Sequence, residues 1–180
     1  MEPIVLWQTQ WSHGPFVPMY LFFGGLTAGV FIVAVLADLV GTISKRSNLF
    51  SKVATYSAIV MLGLAGFFLT VHLGKPERGL AFPLFFTNYN SWMTRGGWIV
   101  GAAGVLMVLY AALRYFAVRS WVRRLVGVIG LPVLALLAIY TGLLLSQARF
   151  VPLWSEKFLP VLFLNSSVNT GLAATGFIFL

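Results

Sequence analysis

Five long apolar stretches dominate this sequence and limit what it can fold into. They cover approximately residues 18–43, 53–73, 98–118, 125–147 and 158–180. A helix needs about 20 mainly apolar residues to cross the roughly 30 Å hydrocarbon core of a bilayer. The stretches lack the alternating apolar and polar pattern of membrane β-strands, and helices satisfy every backbone amide within their own segment. The sequence therefore predicts an all-α integral membrane bundle with about five transmembrane helices.

The scarcity of charge excludes a soluble globular enzyme. Hydrophobic residues make up 59% of the chain and charged residues only 9%, whereas a soluble domain carries about 25% charged residues. The same hydrophobicity excludes an intrinsically disordered chain. Because the sequence contains no cysteine, this chain alone can form no disulfide, thiolate metal site or cysteine-bound iron–sulfur cluster.

The net charge of +8 lies in short segments between the apolar stretches. This is the pattern of loops that flank membrane spans and meet anionic lipid, and it argues against nucleic-acid binding. One side of the predicted bundle carries seven basic residues, namely Lys45, Arg46, Lys52, Arg114, Arg119, Arg123 and Arg124. The other side carries five, together with three glutamates. By the positive-inside rule, we expect a multi-pass protein of the cell (cytoplasmic) membrane with its N-terminus outside.

Residues 1–17 precede the first apolar stretch and contain Trp7 and Trp11. Tryptophan is enriched at headgroup depth, so we expect an interfacial segment here. The first basic residue is Lys45, and the absence of a positive n-region argues against a cleavable signal peptide.

Polar residues concentrate on the predicted outer side, where the connection over residues 72–98 is long. Long connections are often functional, so this side is a candidate for a binding site or a docking surface. A solvated loop with an aromatic belt is the alternative. The polar and aromatic candidates in this connection are His72, Lys75, Glu77, Arg78, Asn88, Asn90, Trp92 and Arg95.

Tyr140 lies inside the fourth apolar stretch, where its hydroxyl needs a partner or a cavity. Tyr140, Leu144 and Gln147 share one helical face by their i, i+4, i+7 spacing. Tyr140 is expected about two turns below the outer boundary. A hydrogen-bond donor at that depth suits a quinone carbonyl, and a bond to a neighbouring backbone carbonyl is the alternative.

Asp38 is the one acidic residue inside a predicted span. Intramembrane carboxylates are candidates for proton paths, although Asp38 is close enough to the end of its span to reach water. His13 and His72 are the only histidines. Bis-histidine haem ligation needs histidines at matching depths within a bundle, so we expect no haem, and the residues suggest no other metal site.

Four segments together resemble the NrfD/polysulfide-reductase membrane-subunit family. They are PMYLFFGGLTAG (18–29), HLGKPERGLAF (72–82), SWMTRGGW (91–98) and YTGLLLSQARFVPLW (140–154). Each segment alone is a weak signal, but their order along nearly the whole chain is specific. Members of the family usually have eight or more spans, so we expect either that this chain corresponds to the N-terminal portion of such a protein or that the remaining helices belong elsewhere.

The resemblance implies a bundle, including a four-helix quinone site, that holds no haem or iron–sulfur cluster of its own. Such proteins exchange electrons between membrane quinol or quinone (menaquinone or ubiquinone) and a docked ferredoxin-like iron–sulfur subunit. That subunit connects to a molybdopterin enzyme or a cytochrome. By resemblance, Tyr140 on the fourth helix contacts the quinone, and a polar residue at the start of the first helix, either Tyr20 or His13, also contributes. His72 and Gln147 are further candidates for quinone binding, and Tyr140 and His13 are the candidates for the reaction. The resemblance implies that Lys75, Glu77 and Arg78 line the docking face or the mouth of the pocket. Asn90, Trp92 and Arg95 in the same connection are further candidates for docking.

Two other classes of function remain open from the sequence. A non-catalytic membrane anchor would hold an extrinsic enzyme through the same aromatic loop. A transporter of small solutes or ions would use Asp38 and the outer polar residues to line a path. The lack of inverted repeats and of matched broken helices counts against the transporter.

Overall fold

The structure, a computed structural model, describes residues 16–41, 45–72, 92–146 and 158–179. Its helices are α1 (Phe16–Val40), α2 (Lys45–His72), α3 (Trp92–Tyr115), α4 (Ser120–Ser146) and α5 (Leu159–Ile178). Each is long and apolar enough to cross a membrane, and no β-strand occurs within the described ranges. The prediction of an all-α membrane bundle with about five transmembrane helices is confirmed.

Three helices begin before the apolar stretches that predicted them. α2 begins at Lys45 rather than near residue 53, α3 at Trp92 rather than near residue 98, and α4 at Ser120 rather than near residue 125. The added turns contain Lys, Arg, Ser and Thr, which lower hydropathy without breaking a helix. Of the predicted interfacial segment 1–17, residues 1–15 lie outside the described ranges.

α1 is the central helix of the bundle. It packs against α2, α4 and α5, whereas α3 packs mainly against α4 and less extensively against α2. Accordingly, 61% of the α1 span is buried, compared with 17% of the α5 span. The core lies between α1, α3 and α4, where Phe31, Met107 and Leu134 are almost completely buried.

Neighbouring helices in the chain run in opposite directions, which gives the bundle two distinct ends. Phe16 at the start of α1 contacts Phe68 near the end of α2, with ring centroids 6.5 Å apart. At the opposite end, the ring of Phe50 near the start of α2 lies 4.7 Å from the ring of Phe179, just after α5. We call the end where α1, α3 and α5 begin the tyrosine end, and the other the aspartate end.

Glycines allow α1 and α5 to approach closely. A Cβ added at Gly29 would overlap the backbone carbonyl of Ser167, and one at Gly171 would overlap the backbone of Gly29. A Cβ at Gly25 would lie 3.1 Å from the Ser167 Oγ. The GxxxG spacing of Gly25 and Gly29 therefore serves helix packing. Gly97 and Gly101 of α3 have the same spacing, but a Cβ added at Gly101 would meet nothing within 4 Å.

A tight turn joins α3 to α4 at the aspartate end. The Val118 N–H donates to the Leu113 carbonyl over 3.0 Å and closes the last turn of α3. Ala117 adopts a left-handed φ of 52°, the conformation that glycine usually takes after a helix. Because the turn is short, the last turn of α3 and the first turn of α4 lie side by side.

Candidate functional site

Buried polar side chains form two groups at opposite ends of α1. Tyr20 lies near the start of this helix and Asp38 near its end. At 1.5 Å per residue they are separated by about 27 Å along the helix axis. This distance is too great for one small ligand head group to contact both, so the groups act as separate sites.

The site at the tyrosine end is built around Tyr140, which lies near the end of α4 and is 6% exposed. Its ring packs directly on Gly96 of α3, and a Cβ added at Gly96 would overlap the ring and the hydroxyl oxygen. Tyr20 of α1 lies near the start of its helix, at the same end of the bundle. Three helices thus place two phenols that are distant in sequence at one end, and the absence of a side chain at Gly96 makes room for the Tyr140 ring.

Two hydroxyls at this end donate no hydrogen bond within the described part of the chain. One is that of Tyr140, in contrast to the hydroxyl of Tyr110, which donates to Asp38. The other is that of Thr94 in the first turn of α3, which is 1% exposed and has no partner among the described residues. Thr27, at the middle of α1, also has a buried hydroxyl without a partner there. Buried hydroxyls are normally hydrogen-bonded, so this end can offer donors and acceptors to the polar head of a bound molecule.

Several other residues predicted for this site lie outside the described ranges. These are His13, Gln147, Lys75, Glu77, Arg78 and Asn90. The backbone of His72 ends α2 and that of Trp92 begins α3, so both belong to the tyrosine end, although their side chains are not described. Arg95 is exposed in the first turn of α3. The structure therefore places Tyr20 and Tyr140 at the same end of the bundle as the helix ends that carry His72, Trp92 and Arg95.

The aspartate end contains a buried ion cluster centred on Asp38, which is 3% exposed. Arg123 of α4 donates from Nε and Nη2 to the two carboxylate oxygens, at 2.8 and 2.7 Å. Arg114 of α3 donates from Nη2 over 2.8 Å, and the Tyr110 hydroxyl donates over 2.9 Å. Each carboxylate oxygen thus accepts two hydrogen bonds, and the carboxylate joins α1, α3 and α4.

The cluster carries more positive than negative charge. One carboxylate faces two guanidinium groups, and Arg114 is itself 7% exposed. Nη2 of Arg114 lies 3.3 Å from the side-chain oxygen of Asn48 on α2, and the guanidinium lies 5.8 Å from the centre of the Tyr110 ring. Burial of two like charges is tolerated only where an opposite charge and hydrogen bonds compensate them. The proton-path role of Asp38 stays a prediction, because these contacts show only how its carboxylate is held.

Sequence reasoning missed the partners of Asp38. It assigned Arg114 and Arg123 to basic segments that flank the membrane, because each lies at the edge of an apolar stretch. It did not single out Tyr110. The sequence did indicate that Asp38 would be paired, because a lone carboxylate inside a span requires a partner. Both arginines lie at the end of the bundle where Asp38 lies.

Within the described ranges, no three His, Cys, Asp or Glu side chains come together.

Comparison with known proteins identifies the family. The family model described as polysulphide reductase, NrfD, matches residues 7–180. The chain belongs to the NrfD polysulphide reductase family. The resemblance seen in the four sequence segments is confirmed, and members of this family are membrane proteins. Within the family, this chain is a multi-pass membrane protein with the five spanning helices described above.

A curated relative has a matching sequence over most of this chain. It is the "Protein NrfD homolog" of Haemophilus influenzae (strain ATCC 51907 / DSM 11121 / KW20 / Rd), 27% identical over 188 aligned positions. The match covers 91% of this chain but 58% of the relative, so the chain spans a little over half the length of that NrfD protein. No solved structure matches this chain.

Proposed function

We propose that this NrfD-family chain is the quinone-reactive membrane subunit of a respiratory oxidoreductase. It exchanges electrons between membrane quinol or quinone and an iron–sulfur subunit docked at the tyrosine end. Through that subunit the electrons connect to a molybdopterin enzyme or a cytochrome. Family membership supports the class of complex, and the geometry around Tyr140 supports the quinone site.

The observation that carries the proposal is the position of the Tyr140 phenol. It is buried against Gly96 of α3, it lies at the end of the bundle where Tyr20 lies near the start of α1, and it donates no hydrogen bond to the residues described. A quinone is a flat apolar ring with two oxygens on opposite edges. Apolar walls with a few placed polar groups are the usual composition of such a pocket.

In this proposal, Tyr140 binds one quinone oxygen by a hydrogen bond, and Tyr20, His13 or His72 binds the other. Gln147, seven residues after Tyr140 in the sequence, is proposed to bind the quinone as well. Oxidation of a quinol releases two electrons and two protons. In this scheme His13 accepts the two protons one after the other and passes each to water at the tyrosine end, because the pKa of an unperturbed imidazole lies near 6.5. The electrons pass to a cluster in the partner, and quinone reduction uses the same groups in reverse.

The partner is proposed to dock on the tyrosine end. The residues assigned to this surface are Lys75, Glu77, Arg78, Asn90, Trp92 and Arg95. Trp92 and Arg95 lie in the first turn of α3, which also contains Thr94 and leads to Gly96. A partner on this surface would place its cluster close to the quinone, and short separation favours electron transfer. With the predicted orientation, this end faces the outside of the cell membrane.

The test is quinol-dependent turnover of the purified complex that contains this chain and its iron–sulfur subunit. We expect Tyr140→Phe to lower turnover about tenfold, since a lost hydrogen bond contributes about 1 kcal/mol or more and 1.4 kcal/mol corresponds to a factor of ten. The matched control is Tyr115→Phe on α3, because Tyr115 is 75% exposed at the opposite end. Both variants should retain the partner. Equal turnover in Tyr140→Phe and wild type would contradict the proposed role and favour a non-catalytic anchor.

A further inference from the structure

Arg124 lies where the bundle passes from the hydrocarbon to the headgroups at the aspartate end. It follows Ser120, the first residue of α4, by four residues, which is about 6 Å along the helix axis. The fourth apolar stretch of the sequence begins near residue 125, directly after it. An arginine at this depth reaches the phosphate level of a bilayer, because its apolar stem lets the guanidinium group extend toward the interface.

Arg124 has no hydrogen bond or ion pair to any other residue that the structure describes. Its side chain is half-buried, and its Nε atom is buried without a partner among the described helices. The adjacent Arg123 differs, since its Nε and Nη2 bind the carboxylate of Asp38. A guanidinium group has five N–H donors and no acceptor, and buried donors are normally hydrogen-bonded. Arg124 therefore has donors available for an acceptor on a bound molecule.

The described residues of the aspartate end carry more positive than negative charge. Asp38 is the one acidic residue within the described ranges, and it already faces two guanidinium groups. Lys52, Arg119 and Arg124 add further basic side chains at this end. The buried Nε of Arg114 also has no partner in the described part of the chain. This excess of positive charge attracts an anion, and the attraction is stronger beside hydrocarbon than in bulk water.

Exposed apolar side chains lie beside Arg124 on α4. Trp121, Leu125 and Val128 share one face of the helix by their i, i+4, i+7 spacing, and all three are exposed. Arg124 flanks this face, because it lies three residues after Trp121 and four before Val128. Indole rings are enriched at headgroup depth, and the leucine and valine below it suit acyl chains. A cation at the edge of an apolar face fits an amphipathic anion better than a free one.

We propose that Arg124 binds the phosphate group of an anionic phospholipid whose acyl chains lie along the face formed by Trp121, Leu125 and Val128. A guanidinium group can bind two phosphate oxygens at once, which gives the contact both strength and a fixed orientation. Basic sites on transmembrane helices recognise anionic headgroups in this way.

The charge of the aspartate end determines which lipids bind. An anionic phospholipid has a net negative charge, so its phosphate reduces the repulsion between Arg124 and the cluster around Asp38. A zwitterionic phospholipid carries a cationic group beside its phosphate, and the same basic residues repel that group. Arg124 and Tyr140 are about 24 Å apart along the axis of α4, so the lipid site is separate from the proposed quinone site.

The test uses photocrosslinking in the purified complex that contains this chain and its iron–sulfur subunit. The complex is held in nanodiscs with equal amounts of phosphatidylglycerol, which is anionic, and phosphatidylcholine, which is zwitterionic, with the same acyl chains. Because this chain has no cysteine, Val128→Cys introduces its single thiol, one turn from Arg124, for a maleimide–benzophenone probe. The matched control is Val60→Cys, since Val60 is 65% exposed on α2, which packs against α1 and α3. After irradiation, this chain is isolated, and mass spectrometry measures the ratio of phosphatidylglycerol to phosphatidylcholine adducts.

We expect the adduct ratio at position 128 to be about tenfold higher than at position 60, because hydrogen bonds between charged groups are strong enough for this selectivity. In the Val128→Cys background, Arg124→Gln should lower the ratio to the value at position 60. Arg124→Lys should give an intermediate ratio, because lysine keeps the charge but not the two-point contact. Arg119→Gln removes the same charge from an exposed side chain at the same end and should leave the ratio unchanged. Quinol-dependent turnover of Arg124→Gln should equal that of wild type.

Four results would each overturn the proposal. The first is an equal adduct ratio at positions 128 and 60, and the second is a ratio at position 128 that Arg124→Gln does not change. The third is an equal fall in Arg119→Gln and Arg124→Gln, which would indicate diffuse surface charge. The fourth is a fall to the control value when inorganic phosphate is added at constant ionic strength, which would indicate a site for free phosphate. None of these results bears on the quinone reaction at Tyr140.

Discussion

Arg123 binds both carboxylate oxygens of Asp38 through two parallel hydrogen bonds of 2.8 and 2.7 Å. The pair links the first turn of α4 to the last turns of α1. Paired, two-point contact of this kind between guanidinium and carboxylate is both strong and geometrically specific. Arg114 of α3 binds the same carboxylate. The Asp38 side chain therefore sets the relative positions of α1, α3 and α4 at the aspartate end.

Asp38→Asn should destabilise the bundle, because it leaves two buried guanidinium groups without their counter-charge. Removal of one partner from a buried ion pair typically costs about 3–5 kcal/mol. Thermal unfolding of the purified protein in lipid nanodiscs would measure the loss, and Asp38→Glu, which keeps the charge, should lose less. A large fall in proton-coupled turnover with unchanged thermal stability would instead indicate that Asp38 carries protons.

Arg123→Lys should also lower stability, since an ammonium group cannot reproduce the two-point contact with the carboxylate. Hydrogen bonds to charged groups contribute about 1.5–3 kcal/mol, and one of the two would be lost. Arg119→Lys is the control, because Arg119 is exposed in the same turn region. If both substitutions shifted the unfolding temperature equally, the two-point contact between Arg123 and the Asp38 carboxylate would not contribute to stability.

Gly29→Ala should loosen the contact between α1 and α5, because the new Cβ would overlap the backbone carbonyl of Ser167. Backbone atoms cannot rotate away, so a cost at or above about 1–3 kcal/mol is expected for this overpacking. Gly24→Ala on the same helix provides the comparison, because its Cβ would meet nothing within 4 Å.

The Gly24→Ala variant should be neutral or more stable by up to about 1 kcal/mol, since alanine is the better helix former. Unfolding in nanodiscs measures both variants. Equal stability of the two would show that α1 and α5 do not approach as closely as described.

Gly96→Ala should impair the quinone reaction by displacing the Tyr140 hydroxyl, although the variant retains that hydroxyl. The added Cβ would overlap the Tyr140 ring, so the ring must shift, and a displacement near 1 Å can reduce turnover up to about 100-fold. Gly101→Ala, also on α3, has open space around its Cβ and should behave like wild type. Quinol-dependent turnover of the complex measures the difference, and full activity in Gly96→Ala would place the reaction away from Tyr140.

Hydropathy alone predicts the five helices, because the requirement for about 20 apolar residues leaves few alternatives. It does not predict where they begin. Arg123 lies inside the first turns of α4, whereas a count of apolar residues places it in a loop. Polar residues are compatible with helical backbone, and the end of an apolar stretch marks the membrane boundary rather than the end of the helix.

The two sites differ in how far the sequence could predict them. Tyr140 was identifiable because a phenol at that depth needs a partner, and Tyr20 entered through family resemblance. The role of Gly96 was not foreseeable, since its contact with Tyr140 depends on how α3 and α4 pack. The grouping of Tyr110, Arg114 and Arg123 around Asp38 depends in the same way on tertiary structure, because residues far apart in the chain form it.

The central claim is that the bundle binds quinone at Tyr140, and titration of the complex with a quinone analogue tests it most directly. Fluorescence quenching would be followed in wild type, in Tyr140→Phe and in the control Tyr115→Phe. Saturable binding in wild type and Tyr115→Phe, about tenfold weaker in Tyr140→Phe, is the result that the account predicts. Absence of saturable binding in wild type with the iron–sulfur partner attached, or equal affinity in all three proteins, would contradict it.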